Sequence, residues 1–185
     1  MNTLVHTEKH GEFIVNIHYD HDPLNPRVDW DNLGTIYHTH RNYDLGVLSN
    51  REDIQAILNN PDYLTLPVYM YEHGNIALST GSFSCAWDSG QVGIIAVKKS
   101  DALKAFMKKR MTKKLEKQVL ESLKGEIETF SAYLSGEVYG YSIEKPNTCE
   151  SCSHCENEVI DSCWGFIGDY HYCLKEALSN LPKAA

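Results

Sequence analysis

The chain has 185 residues, of which 42% are hydrophobic, 23% charged and 10% aromatic. That is ordinary globular composition and excludes a disordered or low-complexity chain. A formal net charge of -8 argues against broad nucleic-acid binding, which relies on Lys and Arg contacts to phosphates.

In chain order, Met1 to Gly11 is polar, with no apolar signal core. No stretch reaches the ~18 uncharged apolar residues that a membrane span needs. The expectation is a cytoplasmic protein with no membrane partner. Glu12 to Tyr19 alternates and is β-branched, which predicts a first strand, and Asp20 to Asp31, with Pro23 and Pro26, predicts a loop. Leu33 to His40 reads as a short strand. Ser49 followed by Glu52 is a capping-box pattern that predicts a helix to about Asn59. Leu66 to Tyr71 and Ile76 to Ser79 flank Gly74-Asn75, a hairpin signal. Val92 to Val97 is a compact apolar strand that leads into a helix capped by Ser100 and Asp101. From Lys113 to Ser135, Leu115, Val119, Leu123, Ile127, Phe130 and Leu134 recur at intervals of four and three, the stripe of an amphipathic helix that Gly136 stops. Val138 to Lys145 and Val159 to Phe166 predict two more strands, and Tyr170 to Leu181 a closing helix before Pro182.

Strands that follow one another without strict βα alternation predict an α+β fold. The expected fold is one mostly antiparallel sheet of five to seven strands, with three or four helices packed on one face. With no linker-like stretch, residues 1–185 read as a single domain with a Cys-rich loop at about 147–158.

Charge is unevenly placed. Nine of the seventeen basic residues (Lys98, Lys99, Lys104, Lys108, Lys109, Arg110, Lys113, Lys114 and Lys117) fall in one segment with only Asp101 and Glu116, leaving eight basic against twenty-three acidic residues elsewhere. The expectation is an acidic surface with one basic helical corner, read as a solvated face.

Three constellations carry chemistry. Cys149, Cys152, His154 and Cys155 have the two-residue spacing that turns thiolates around one zinc ion at ~2.3 Å. Reduced surface thiols are the alternative, with Cys163 and Cys173 as small buried hydrophobes. His18, Asp20, His21, Asp22, Asp29, Asp31, His38 and His40 are dense enough to hold a hydrolytic metal, although no established metalloenzyme signature accompanies them. Trp30, Trp87 and Trp164 each sit beside Asp, Ser or Gly instead of inside apolar runs, as in recognition surfaces, or as core plugs whose N–H meets a carboxylate. Ser89 and Cys163, with His40 as base, are nucleophile candidates, and no sequence pattern brings them together.

The segments Trp30-Asp31-Asn32-Leu33-Gly34-Thr35, His40-Arg41-x-Tyr43-x-Leu45-Gly46, Phe83-Ser84-Cys85-x-Trp87-Asp88-Ser89-Gly90-Gln91-Val92-Gly93 and Asp161-Ser162-Cys163-Trp164-Gly165-Phe166 together resemble a family of small, largely uncharacterised proteins carried by bacteriophages and plasmids. The resemblance runs from about Ile14 to Gly168. It implies an accessory gene of a mobile element acting in the cytoplasm of a bacterial host, and many such genes encode inhibitors of host defence. Ala86 stands where that pattern has proline.

Chemistry and motifs converge on a shared ligand site of Asp31, Asn32, His40, Arg41, Trp87, Asp88, Gln91, Asp161 and Trp164. The leading expectation is a non-enzymatic counter-defence inhibitor that binds a host defence protein. The alternative is a pocket that sequesters or degrades a nucleotide signal, with Arg41 on its phosphate. Metal-dependent hydrolysis through His38 and His40 comes third.

Overall fold

The structure, a computed structural model, describes residues 3–148 and 155–182, excepting the side chains of residues 148, 155 and 156. It is α+β, with two mostly antiparallel sheets and four helices among those residues. The chain gathers into two compact units, Met1–Leu24 with Gly136–Ala185, and Asn25–Ser135. The second is inserted in the connection between two antiparallel neighbours of the first unit's sheet.

The first unit carries strands β1 (Leu4–His10), β2 (Phe13–Tyr19), β8 (Val138–Thr148) and β9 (Cys155–Ile167) in the order β1-β2-β8-β9, with helix α4 (Tyr170–Ser179) on one face. Val15 and Ile17 of β2 and Tyr139, Tyr141 and Ile143 of β8 alternate toward α4, where they meet Cys173 and Ala177. Asp169 caps α4 by accepting from the His171 N–H at 3.0 Å. β1 was not expected. Its sequence LVHTEKH is too polar to signal burial, and pairing with β2 across Gly11 (φ 62°) holds it as an edge strand.

The second unit carries β3 (Thr35–His38), β4 (Val47–Leu48), helix α1 (Arg51–Leu58), β5 (Tyr63–Glu72), β6 (Ile76–Ser79), β7 (Ser89–Lys98), α2 (Lys99–Ala105) and α3 (Lys113–Leu134). Its sheet order is β4-β3-β7-β5-β6, antiparallel except for β3 with β4. The α3 stripe forms as read: Leu115, Val119, Leu123, Ile127 and Phe130 are buried against Ile36, Val68, Met70, Leu78 and Ile95. Full burial stabilises by about 1.5–3 kcal/mol per large apolar side chain. Helices lie on both faces of this sheet, where one face was expected. Ile94 and Ala96 of β7 pack with Ile54 of α1, while Ile95 and Val97 face α3. The unbroken apolar run of β7 is the mark of a strand buried on both sides.

Two caps differ from expectation. Asn50, not Ser49, caps α1 by accepting from the Asp53 N–H at 2.8 Å, and the Ser49 hydroxyl donates to the Val47 carbonyl. Helix α2 begins at Lys99, so Ser100 and Asp101 lie in its first turn.

Cysteine chemistry divides by burial. Cys173 is fully buried, and desolvation pushes its thiol up to about 12, whereas Cys163 is exposed on β9. The thiolate is the nucleophile, so at neutral pH Cys173 is inert. Mass-spectrometric mapping after a brief pulse of alkylating reagent is expected to find Cys163 modified and Cys173 modified only after unfolding. Labelling of native Cys173 would contradict this packing.

Candidate functional site

The nine expected ligand residues separate into three groups. Asn32 belongs to a structural knot. Its Oδ1 accepts from Arg27 Nη1 at 2.7 Å, and its amide donates to the carbonyls of Pro26 and Trp30. Arg27 pairs with Glu126 of α3 at 2.7 Å and donates to the Gly34 carbonyl at 2.6 Å. The same Glu126 carboxylate accepts from the Leu33 N–H at 2.6 Å and the Gly34 N–H at 3.2 Å. A Cβ at Gly34 would lie 2.5 Å from Leu123 and 2.7 Å from Ile95, so these buried side chains would have to shift to admit one. The Trp30–Thr35 motif therefore fastens a loop to α3. Asp31 beside it is exposed, with no hydrogen bond or ion pair among the described residues.

His40, Arg41, Trp87, Asp88 and Gln91 lie toward one end of the second unit's sheet, where β3 ends, β5 ends and β7 begins. His40 stacks on Tyr43 with ring centroids 5.1 Å apart, and the Tyr43 hydroxyl donates to Glu72 Oε1 at 2.6 Å. That carboxylate raises the Tyr43 pKa above its ordinary value. The Glu72 N–H donates to the Asp88 carbonyl at 2.8 Å. Asp88 accepts from Cys85 Sγ at 3.2 Å and lies 3.6 Å from His73 Nδ1, while the Ser89 hydroxyl donates to the Cys85 carbonyl. These contacts pin the turn at Cys85–Ser89 at both ends, and Trp87 projects from it 97% exposed. Gln91 turns back to the Gly93 carbonyl at 3.2 Å. Arg41, with Thr39, Ser49, Asn50 and Arg51, lines a cleft of about 510 Å³ beside the start of α1.

Asp161 and Trp164 lie in the other unit, on opposite faces of β9. Asp161 faces α4 and accepts from the Tyr141 hydroxyl at 3.0 Å, and that hydroxyl also accepts from the Asn180 amide. Burial first, then this carboxylate, raises the Tyr141 pKa. Trp164 lies over Gly140 on the far face, where a Cβ would sit 2.1 Å from the indole.

Sequence reasoning missed the polar network around that indole. The His18 ring is 6.0 Å from Trp164, Nδ1 is 3.1 Å from Thr3 Oγ1, and Nε2 is 3.4 Å from Ser142 Oγ. Ser142 donates to Glu144 at 2.7 Å, and Asn157 donates to the same carboxylate at 2.9 Å. Burial pushes the Glu144 carboxyl up, but donation from Ser142, Asn157 and Asn16, with His18 nearby, holds it below its usual value. The signal was the strict alternation of Asn16 and His18 in β2 and of Gly140, Ser142 and Glu144 in β8.

Among the described residues no group of three or more His, Cys, Asp or Glu is placed to hold a metal ion. The cluster of His38 and His40 with nearby aspartates that metal-dependent hydrolysis would need is thus not formed there. His38 is 2% exposed on the core face of β3, with neither ring nitrogen hydrogen-bonded among the described residues. Ser89 commits its hydroxyl to a backbone carbonyl. The zinc candidates Cys149, Cys152 and His154 lie outside the described residues, as does the side chain of Cys155.

In comparisons with known proteins, the chain matches no family model, no curated protein and no solved structure.

Proposed function

We propose that this protein is a binding protein that inhibits a component of bacterial host defence, as an accessory protein of a mobile element, and that it grips its target through the surface centred on Trp87. The exposure of that indole carries the reading. A side chain of this size, fully in water on a turn pinned at both ends, offers a large apolar contact that needs little backbone ordering on binding. Through Tyr43 and Glu72, His40 is linked to Asp88, the residue that follows Trp87. The acidic excess outside Lys98–Lys117 suits a target with a basic groove, since complementary potentials steer association. Capture with the tagged full chain from a lysate of a defence-bearing bacterium is expected to recover one stoichiometric host protein, and to recover less as salt is raised. A clean protein carrying a nucleotide would overturn the inhibitor reading.

One observation favours a second reading. Arg41 and Arg51 converge with Ser49 and Thr39 on one cleft, and a guanidinium fork suits a phosphate. If this cleft holds a nucleotide signal, Arg41→Ala is expected to weaken binding in a direct titration by about tenfold or more, the loss of ~1.4 kcal/mol, with no change in melting temperature. Unchanged affinity would remove that assignment.

A further inference from the structure

The basic corner between Lys98 and Lys117 is not a uniform solvated face. Three of its cations are engaged: Lys98 lies 5.9 Å from the centre of the Tyr63 ring, Lys99 donates to the Pro61 carbonyl at 2.5 Å, and Lys104 pairs with Asp101 at 3.1 Å. The other six make no ion pair among the described residues. Four of these, Lys108, Lys109, Arg110 and Lys114, line one pocket of about 450 Å³ whose wall among the described residues holds no carboxylate and includes the half-buried Phe106.

The turn that carries three of these cations has a defined backbone. Helix α2 ends with Met107 in the left-handed region (φ 52°), where the Met107 N–H donates to the Lys104 carbonyl at 3.0 Å and the Lys108 N–H to the Leu103 carbonyl at 2.9 Å. That paired closure ends α2, and the cations of the turn line one pocket with Lys114 of the first turn of α3. A left-handed methionine costs roughly 1–2 kcal/mol, and like charges gathered around one concavity repel. The neighbouring groove along α3 shows the ordinary solution, with Lys113, Lys117 and Lys124 interleaved with Glu116 and Glu121.

We infer that the pocket lined by Lys108, Lys109, Arg110 and Lys114 binds a ligand with two or three adjoining phosphates. A phosphate chain supplies the negative charge that four unpaired cations lack; the arginine fork binds oxygens in pairs and the lysines act as point charges. The volume lies in the range of small-ligand sites.

The test is calorimetric titration of the full chain with inorganic tripolyphosphate at about 0.1 M salt, where charges beyond ~10 Å are largely screened. Saturable binding at one site is expected. Arg110→Ala with Lys114→Ala should weaken it by about tenfold or more, whereas Lys113→Ala with Lys117→Ala, the same charge change outside the pocket, should weaken it only about twofold. All four positions are exposed, so both variants should melt with the wild type. Absence of saturable binding by the wild type, or equal losses in the two double variants, would overturn the assignment. A parallel titration with ATP separates the sources of such a ligand: tighter binding than tripolyphosphate assigns a nucleotide resting on Phe106, and equal binding a bare phosphate chain.

Discussion

Replacing Glu126 with alanine is expected to destabilise the second unit by about 3–5 kcal/mol, the loss typical of removing one partner of a buried ion pair. Its side chain and that of Arg27 are 18% and 10% exposed, so neither charge is well solvated. Alanine would leave the Arg27 guanidinium without its carboxylate and the N–H groups of Leu33 and Gly34 without their acceptor. Each unsatisfied buried donor adds roughly 1–3 kcal/mol to the cost, although the contributions overlap. Thermal unfolding should report a fall of roughly 10–20 °C. Glu126→Gln should fall between, because it keeps an oxygen for the two N–H groups but not the charge. The contrast is Lys124→Ala, which removes an exposed pair with Glu128 on the same helix and should change stability by less than about 0.5 kcal/mol. A Glu126→Ala protein that melts with the wild type would show that the loop before β3 is held by something else.

The second large effect is expected at Gly93. A Cβ there would lie 2.0 Å from the Tyr37 carbonyl oxygen and 2.8 Å from His38 Cα, both backbone atoms of the paired strand. No rotamer change relieves such a contact, so β3 must move away from β7, and Gly93→Ala should cost about 3 kcal/mol or more. Because β3 leads directly into His40 and Arg41, the same displacement should disturb the cleft beside α1. Gly140 makes the informative comparison. The three atoms nearest its Cβ would all belong to the Trp164 ring, a half-exposed side chain on β9 and not backbone. Gly140→Ala should therefore cost less and should shift indole fluorescence. A smaller loss at Gly93 than at Gly140 would contradict the register described here.

The elements were legible where periodicity was strong. The α3 stripe and the Gly74-Asn75 hairpin formed as read, and the α+β class followed from them. The apolar run of β7 already implied burial on both faces, which a one-faced sheet cannot provide. β1 was hidden because an edge strand needs few apolar residues, and the pairing of β2 with β8 was hidden because the whole second unit intervenes. The candidate site was legible only in part. His40, Arg41, Trp87, Asp88 and Gln91 share one sheet end because antiparallel strands β3, β5 and β7 bring distant segments to one edge. Asn32 was misleading, since an amide in a turn looks the same whether it meets a ligand or its own backbone. Glu126 was invisible for the opposite reason: an acidic residue on an amphipathic helix reads as solvated until a loop is seen to close over it.

The most direct test of the binding account is the affinity of the captured host protein for wild type and for Trp87→Ala, measured by calorimetry alongside melting curves. Trp87 makes no packing contribution to either core, so the variant should melt with the wild type. Its affinity should fall by at least about 2 kcal/mol, roughly thirtyfold, the threshold for an interface hot spot. An affinity within about threefold of wild type, less than 1 kcal/mol, would contradict the claim that this indole is the centre of the contact.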